Sequence, residues 1–184
     1  ASTHALRNGI SLRLIFEQLK DVRKEGIHIP IVLMGYLNPI MQYGFEAFCR
    51  SCSETGVDGM IVPDLPFADY MADYKPIADK YDLKMIMLIT PETSEDRVRQ
   101  IDAHTSGFIY MVSSASTTRF NILAGILMAR SYRLVGFGIS NKATYEAAAR
   151  NSRGGIIGSK FVQLLESEGS PEKAIGKLME DITR

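Results

Sequence analysis

Two glycine-rich turns near the end of the chain constrain its fold more than any other feature of the sequence. Residues 136–140 read Gly-Phe-Gly-Ile-Ser, and residues 154–159 read Gly-Gly-Ile-Ile-Gly-Ser. Glycines at the carboxyl ends of neighbouring parallel strands let backbone N–H groups approach an anion, and a helix beginning near Ser159 adds the positive end of its dipole. The last two strands of a β/α barrel bind phosphate in this way. The two turns therefore predict a phosphate site at one edge of a parallel sheet.

Short apolar runs recur along the chain and alternate with amphipathic segments. A run that is apolar almost throughout is typical of a strand buried on both faces, as in a parallel sheet covered by helices. The sequence therefore predicts an α/β fold. The strands are expected at residues 29–35, 59–62, 85–89, 107–112, 133–136 and 154–157.

The segments between these runs carry helix start and stop signals. A helix is predicted from Ser11 to Lys24, closed by Gly26, and another begins near residues 93–96, where hydroxyl and acidic side chains suit a helix N-terminus. The unit repeats about every 20 to 28 residues, as short loops between strands and helices require. With no linker or low-complexity segment, residues 1–184 are interpreted as one domain.

A closed barrel of this kind has eight strands, whereas six are predicted here. The first predicted element is a helix without a strand before it. The expectation is therefore a (β/α)8 TIM barrel whose first two strand–helix units lie upstream of Ala1. A six-stranded open sheet is the alternative.

Composition excludes several classes of protein. Lys and Arg together number 21, as do Asp and Glu, and no basic run suggests a nucleic-acid partner. No stretch reaches the roughly 18 apolar residues of a membrane span, and the first residues lack a signal-peptide pattern, so a cytoplasmic protein is expected. Cys49 and Cys52 form a C-x-x-C motif, but they share the apolar face of a predicted helix, which favours buried thiols over a metal or redox site.

Four motifs, in order, resemble the tryptophan synthase alpha subunit family over nearly the whole chain. They are Met-Gly-Tyr-Leu-Asn-Pro at residues 34–39, Gly-Val-Asp-Gly with Val-Pro-Asp-Leu-Pro at 56–66, Tyr-Met-Val-Ser at 110–113, and the two glycine turns. The resemblance implies a lyase of tryptophan biosynthesis that cleaves indole-3-glycerol phosphate by retro-aldol chemistry to indole and glyceraldehyde 3-phosphate. It also implies a beta-subunit partner in an alpha2-beta2 heterotetramer, with pyridoxal phosphate in that partner only and no cofactor in this chain.

The reaction needs an acid to protonate indole C3 and a base to accept a proton from the glycerol hydroxyl. In the family these roles belong to a glutamate and an aspartate at or just after the second barrel strand, before the first residue matched here. The resemblance therefore assigns neither to a residue of the given chain. It offers Tyr110 and Thr118 as assisting residues, with Thr118 in a loop that closes over the substrate and is shortened or interrupted here.

The resemblance also implies binding residues. Met34 and Tyr36 match the indole pocket, and Asn38 and Asp64 match positions facing the partner subunit or the tunnel to it. The phosphate would be bound by Gly138, Gly158 and Ser159, with Phe137 as a wall of the pocket. These residues also have purely structural interpretations. Tyr36 could be a capping aromatic, Asn38 a turn residue and Tyr110 part of the core, and the glycines could be ordinary turn glycines.

Two other aldolase chemistries require residues that this sequence does not provide. A Schiff-base aldolase needs a lysine buried at the catalytic end of a strand, and a metal aldolase needs grouped histidines, but neither is predicted. Lys160 follows the second glycine turn on a helix, and His4, His28 and His104 are scattered. Two alternatives stay open: another phosphate-binding barrel isomerase or synthase, and a non-catalytic partner that activates the beta subunit.

Overall fold

The computed structural model describes residues 2–112, 131–136, 138–150 and 152–184, with side chains from residue 5 onward. The chain divides into two compact units, Ala1–Met87 and Leu88–Arg184. The interpretation of the whole chain as one domain stays a prediction. In the described ranges, no helix combines the length and the apolar character that a membrane span requires.

The first unit alternates helices with a three-stranded parallel sheet in the order β1-β2-β3. Val32 pairs with Gly59, and Gly59 pairs in turn with Lys84. A π-helical segment, Tyr70–Tyr74, connects two of the helices. The elements are α1 Ser2–Arg7, α2 Leu12–Leu19, β1 Val32–Met34, α3 Leu37–Tyr43, α4 Phe45–Thr55, β2 Gly59–Ile61, α5 Phe67–Asp69, α6 Lys75–Lys80 and β3 Lys84–Met85.

Helix α4 buries the apolar face that its sequence pattern predicts. Cys49 and Cys52 are completely buried on this face, and Phe48 packs edge-on against Phe16 with 5.7 Å between the ring centroids. Burial raises the pKa of both thiols to about 12, so they remain protonated at neutral pH. The prediction that both cysteines are buried on the apolar face of a helix is confirmed. The helix ends at Gly56, whose φ of 75° suits glycine.

The helix predicted from Ser11 to Lys24 is shorter than expected. Ser11 caps its N-terminus as predicted, by accepting a hydrogen bond from the Leu14 N–H, but α2 ends at Leu19. The segment that follows makes hydrogen-bonded turns, and the side chain of Arg23 contacts both this segment and the end of α4. Its guanidinium donates to the carbonyl oxygens of Gly56, Ile27 and Ile29 and to the Asp58 carboxylate.

The second unit contains another parallel sheet, in the order β4-β5-β6. Phe108 pairs with Tyr132, and Met111 pairs with Val135. Gly155 then forms a parallel bridge to Val135, so the chain after β6 returns beside it in the same direction. The elements are β4 Met87–Ile89, α7 Glu95–His104, β5 Phe108–Met111, β6 Tyr132–Val135, α8 Lys142–Ala149, α9 Ser159–Glu168 and α10 Pro171–Thr183.

All six predicted apolar runs take part in parallel strand pairing, but the structure differs from the prediction in three details. The run at 85–89 is divided by Ile86 between two sheets, β1 begins at Val32 rather than at residue 29, and the last run makes only a bridge. Burial on both faces holds for β2 but not for β1, where Met34 is 60% exposed. β1 is an edge strand within the described sheet, so fewer neighbours cover it.

Candidate functional site

A pocket of about 390 Å³ lies at the carboxyl ends of β5, β6 and the bridged segment after them. Because these stretches run parallel, the residues that follow them meet at one edge of the sheet. This site is called the glycine pocket, and the described residues that line it are Tyr110, Gly138, Ile139, Ser140, Ile156, Gly158, Ser159, Lys160 and Gln163.

The two turn glycines leave open space at the pocket. A Cβ added at Gly138 or Gly158 would meet no heavy atom within 4 Å, and Gly138 has a φ of 69°, which favours glycine. Gly158 precedes α9, and no side chain in the described ranges caps this helix there. The first N–H groups of a helix lack intrahelical partners. An anion in the glycine pocket would therefore find free backbone donors and the positive end of the helix dipole.

Local contacts stabilise the loop that carries Gly138. Thr144 Oγ1 accepts from the backbone N–H of Ser140 at 3.0 Å and of Asn141 at 3.1 Å, and the Asn141 side chain accepts from the Thr144 N–H. Ile139 packs so closely over Gly155 that a Cβ there would lie 2.5 Å from its Cδ1. The capping box of α8 and this packing together fix the loop that carries Gly138.

Tyr110 forms a wall of the glycine pocket and packs against Gly136. A Cβ at Gly136 would lie 2.5 Å from Tyr110 Cζ and 2.8 Å from Cε1. Burial raises the pKa of the Tyr110 phenol, so the hydroxyl is protonated at neutral pH and can donate a hydrogen bond. Because Gly136 has no side chain, Tyr110 can pack directly against the end of β6.

A second pocket, of about 460 Å³, lies in the first unit at the end of β1. It is called the apolar pocket because nearly all of the side chains around it are hydrocarbon. Met34 and Tyr36 both line it and are 60% and 65% exposed. The other described lining residues are Ala5, Leu6, Ile10, Leu12, Ile15, Leu33, Gly35, Pro39, Ile40, Phe48 and Pro63.

Asp64 lies beside the start of α3. Its carboxylate accepts a bifurcated hydrogen bond from the Leu37 N–H, at 2.9 and 3.2 Å. The acid that follows β2 therefore caps the helix containing Asn38, and it also complements the dipole of that helix. The resemblance grouped Asn38 and Asp64 only as positions facing the partner or the tunnel, and the structure adds a hydrogen bond from the residue before Asn38 to Asp64.

The structure brings many of the predicted site residues together. Tyr110, Gly138, Gly158 and Ser159 share the glycine pocket, and Met34 and Tyr36 share the apolar pocket. Thr118 and Phe137 lie outside the described residues. The ligand roles of all these residues stay predictions.

Sequence reasoning missed Lys160 and Gln163 as pocket residues. They lie one and four positions after Ser159, and the i, i+1, i+4 spacing from a predicted helix start was the available signal. Among the described residues, no three or more histidine, cysteine, aspartate or glutamate side chains are grouped as a metal site would require.

Parallel strands whose glycine-rich ends enclose a pocket define an α/β protein with the binding edge of a barrel enzyme. The family model for the tryptophan synthase alpha chain matches residues 1–183. A relative of that name from Parabacteroides distasonis is 66% identical over 191 residues, covering 98% of this chain and 74% of that protein. Another from Bacteroides fragilis is 58% identical, covering 97% of this chain and 72% of that protein. The chain belongs to the tryptophan synthase alpha chain family.

Solved structures support the same family assignment. A tryptophan synthase alpha chain from Legionella pneumophila has a TM-score of 0.83 at 31% identity, covering 97% of this chain and 70% of that one. A tryptophan synthase complex from Pyrococcus furiosus also matches with a TM-score of 0.83 at 31% identity, covering 97% and 74%. These neighbours confirm the α/β class and the TIM-barrel family. The two further strand–helix units upstream stay a prediction.

The family assignment also defines the chemistry. Tryptophan synthase alpha chains are carbon–carbon lyases that cleave indole-3-glycerol phosphate by a retro-aldol reaction in tryptophan biosynthesis. The predicted resemblance and enzyme class are therefore confirmed.

Proposed function

We propose that the glycine pocket binds the phosphate of indole-3-glycerol phosphate. The observation that carries this proposal is the meeting of the Gly138 and Gly158 turns at one pocket, from two consecutive strand-to-helix connections. Backbone N–H groups after each glycine, the Ser159 hydroxyl and the dipole of α9 would bind the dianion. Phe137 is proposed as an aromatic wall between the two turns, as the resemblance implies.

Phosphate binding would serve the reaction by positioning the substrate. Cleavage breaks the bond between indole C3 and the glycerol chain; a proton is added at C3, and the adjacent hydroxyl loses one as it becomes the aldehyde. The glutamate and aspartate that perform these steps in the family have no match in the given residues. Tyr110, protonated at the pocket wall, is proposed to assist next to the phosphate, and Thr118 to orient the aspartate.

The indole ring is proposed to bind at Met34 and Tyr36. Both side chains are exposed at the apolar pocket, so flat apolar surface is available to an aromatic ligand. Their contribution would be binding energy for the indole ring, supplied by apolar contact.

The partner is proposed to be a tryptophan synthase beta subunit in an alpha2-beta2 heterotetramer. The similarity to a solved tryptophan synthase complex supports this proposal, and exposed Asn38 together with Asp64 at the start of α3 would form part of the surface. Pyridoxal phosphate is proposed for the partner only. The cytoplasm is proposed as the compartment, since the two cysteines are free thiols.

The experiment that tests the phosphate site is titration calorimetry of the chain with glycerol 3-phosphate. Ser159→Ala removes a hydroxyl that would bind a charged ligand, a hydrogen bond of about 1.5 to 3 kcal/mol, and is expected to weaken binding about tenfold or more. The matched control is Ser167→Ala on the same helix, whose hydroxyl donates to Leu164 and lies outside the described pocket lining. Equal affinities of the Ser159→Ala variant and the unsubstituted chain would contradict the proposal.

Activity is tested in the presence of a beta subunit by following both half-reactions. Cleavage of indole-3-glycerol phosphate by the mixture supports the lyase function of the chain. Stimulation of the beta reaction without any cleavage would favour the non-catalytic partner instead.

A further inference from the structure

One residue that lines the glycine pocket is charged, and none of the roles predicted above uses its charge. Lys160 is the second residue of α9, one position after Ser159, and of the described residues around this pocket it alone carries a charge. Backbone N–H groups and a hydroxyl offer a phosphate only partial charges. A lysine ammonium would supply a full positive charge beside a dianion, where a charge-assisted hydrogen bond is about twice as strong as a neutral one.

The Lys160 ammonium is held by the C-terminal helix. Its Nζ lies 3.0 Å from Asp181 Oδ2, and the side chains of the two residues are only 27% and 21% exposed. Asp181 lies in the last turn of α10, which packs along α9. Hydrogen bonding to Lys160 is the main cause of the lowered pKa of the Asp181 carboxyl, so this carboxyl is ionised at neutral pH. Lys177 contacts the other oxygen, Oδ1, at 3.3 Å.

We propose that Lys160 is a phosphate-binding residue of the substrate site and that Asp181 positions its ammonium and competes with the phosphate for it. The inference rests on the proposed phosphate site and deepens it. Lys160 shares its charge between a fixed carboxylate and the arriving dianion, so Asp181 limits how tightly the phosphate binds. Lys177, which holds Asp181 from outside the described pocket lining, balances that carboxylate when Lys160 turns to the ligand.

The two roles predict opposite effects of substitution. Lys160→Met keeps the length of the side chain but removes the charge, so it should weaken the binding of glycerol 3-phosphate about tenfold. Asp181→Asn removes the competing charge while keeping an acceptor, so it should tighten binding about threefold. Loss of a merely structural contact would not strengthen ligand binding. Lys160→Arg should restore most of the affinity because it keeps the cation.

The test is titration calorimetry of the full chain with glycerol 3-phosphate at two salt concentrations, with circular dichroism melting as the check on folding. In a Lys160→Met background, the effect of Asp181→Asn should vanish, and the salt dependence should be smaller than in the unsubstituted chain. The matched control is Lys173→Met, which removes a lysine from the same helix but from neither ion pair of Asp181, so the affinity should stay nearly unchanged.

The outcomes separate this inference from the phosphate site itself. If the unsubstituted chain binds glycerol 3-phosphate but Lys160→Met binds it equally well, the inference is wrong while the phosphate site stands. An Asp181→Asn effect that persists without Lys160 would also overturn it. If the unsubstituted chain has no affinity for glycerol 3-phosphate, the proposed phosphate site and this inference fail together.

Discussion

Gly136→Ala tests how closely the glycine pocket depends on the packing of Tyr110. The added Cβ would lie 2.5 Å from Tyr110 Cζ and 2.8 Å from Cε1, well inside van der Waals contact. The ring cannot remain where it is. Because Tyr110 also lines the glycine pocket, the ring is expected to move into the space proposed for the phosphate.

The magnitude follows from overpacking. Inserting a methyl group into a closely packed position costs about 1 to 3 kcal/mol. For a chain of this length, each kcal/mol lowers Tm by about 2 to 4 °C, so a decrease of roughly 2 to 12 °C is expected. Displacement of the ring should also weaken glycerol 3-phosphate binding by about threefold or more, since the ligand must push the ring aside.

The assay combines urea denaturation with titration calorimetry for four chains: unsubstituted, Gly136→Ala, Tyr110→Ala and the double variant. If the ring is the obstacle, Gly136→Ala should cost almost nothing in the Tyr110→Ala background. The matched control is Gly176→Ala within α10, where no atom lies within 4 Å of the added Cβ and a gain of about 0.5 to 1 kcal/mol is expected. The reasoning is refuted if the Gly136→Ala penalty is absent, or is equally large without the ring.

Three further predictions concern the first unit. Cys49 and Cys52, buried with pKa values of about 12, should not react with a thiol reagent in the native protein at pH 8 and should react fully in urea; rapid native labelling would contradict their burial. Asp64→Ala should cost about 0.5 to 2 kcal/mol in urea denaturation by removing the cap on Leu37, whereas Asp64→Asn should keep most of it; equal losses would show that the hydrogen bond is not the cause. Phe48→Ala should cost about 3 to 5 kcal/mol by the same measurement, and a loss below 1 kcal/mol would contradict its place in the core.

Local chemistry explains why much of the fold could be predicted from the sequence. Ser11 and Ser94 cap the helices that they were predicted to start. Each side chain accepts a hydrogen bond from the backbone N–H three residues later, so the cap depends only on the local sequence. The end of α2 could not be predicted in this way. Arg23 leaves the helical pattern to bind the Gly56 carbonyl and Asp58, more than thirty residues away in the chain.

The candidate site shows the same division. Gly138, Gly158 and Ser159 were predicted as neighbours because parallel strands bring their carboxyl ends to one edge. Tyr110 was placed at a strand end, but its contact with Gly136 depends on the register between β5 and β6. That register is a long-range property that no short motif contains.

The sequence by itself determined the α/β class, the order of the strands and the glycine turns, because periodicity and backbone freedom are encoded within a few residues. Only the tertiary structure decided which distant groups meet. The carboxylate of Asp64 caps the start of a helix 27 residues earlier, and Asp181 holds Lys160 at the wall of the glycine pocket. Such pairs form when whole helices and strands pack, since packing sets the distance between side chains that the chain itself keeps far apart.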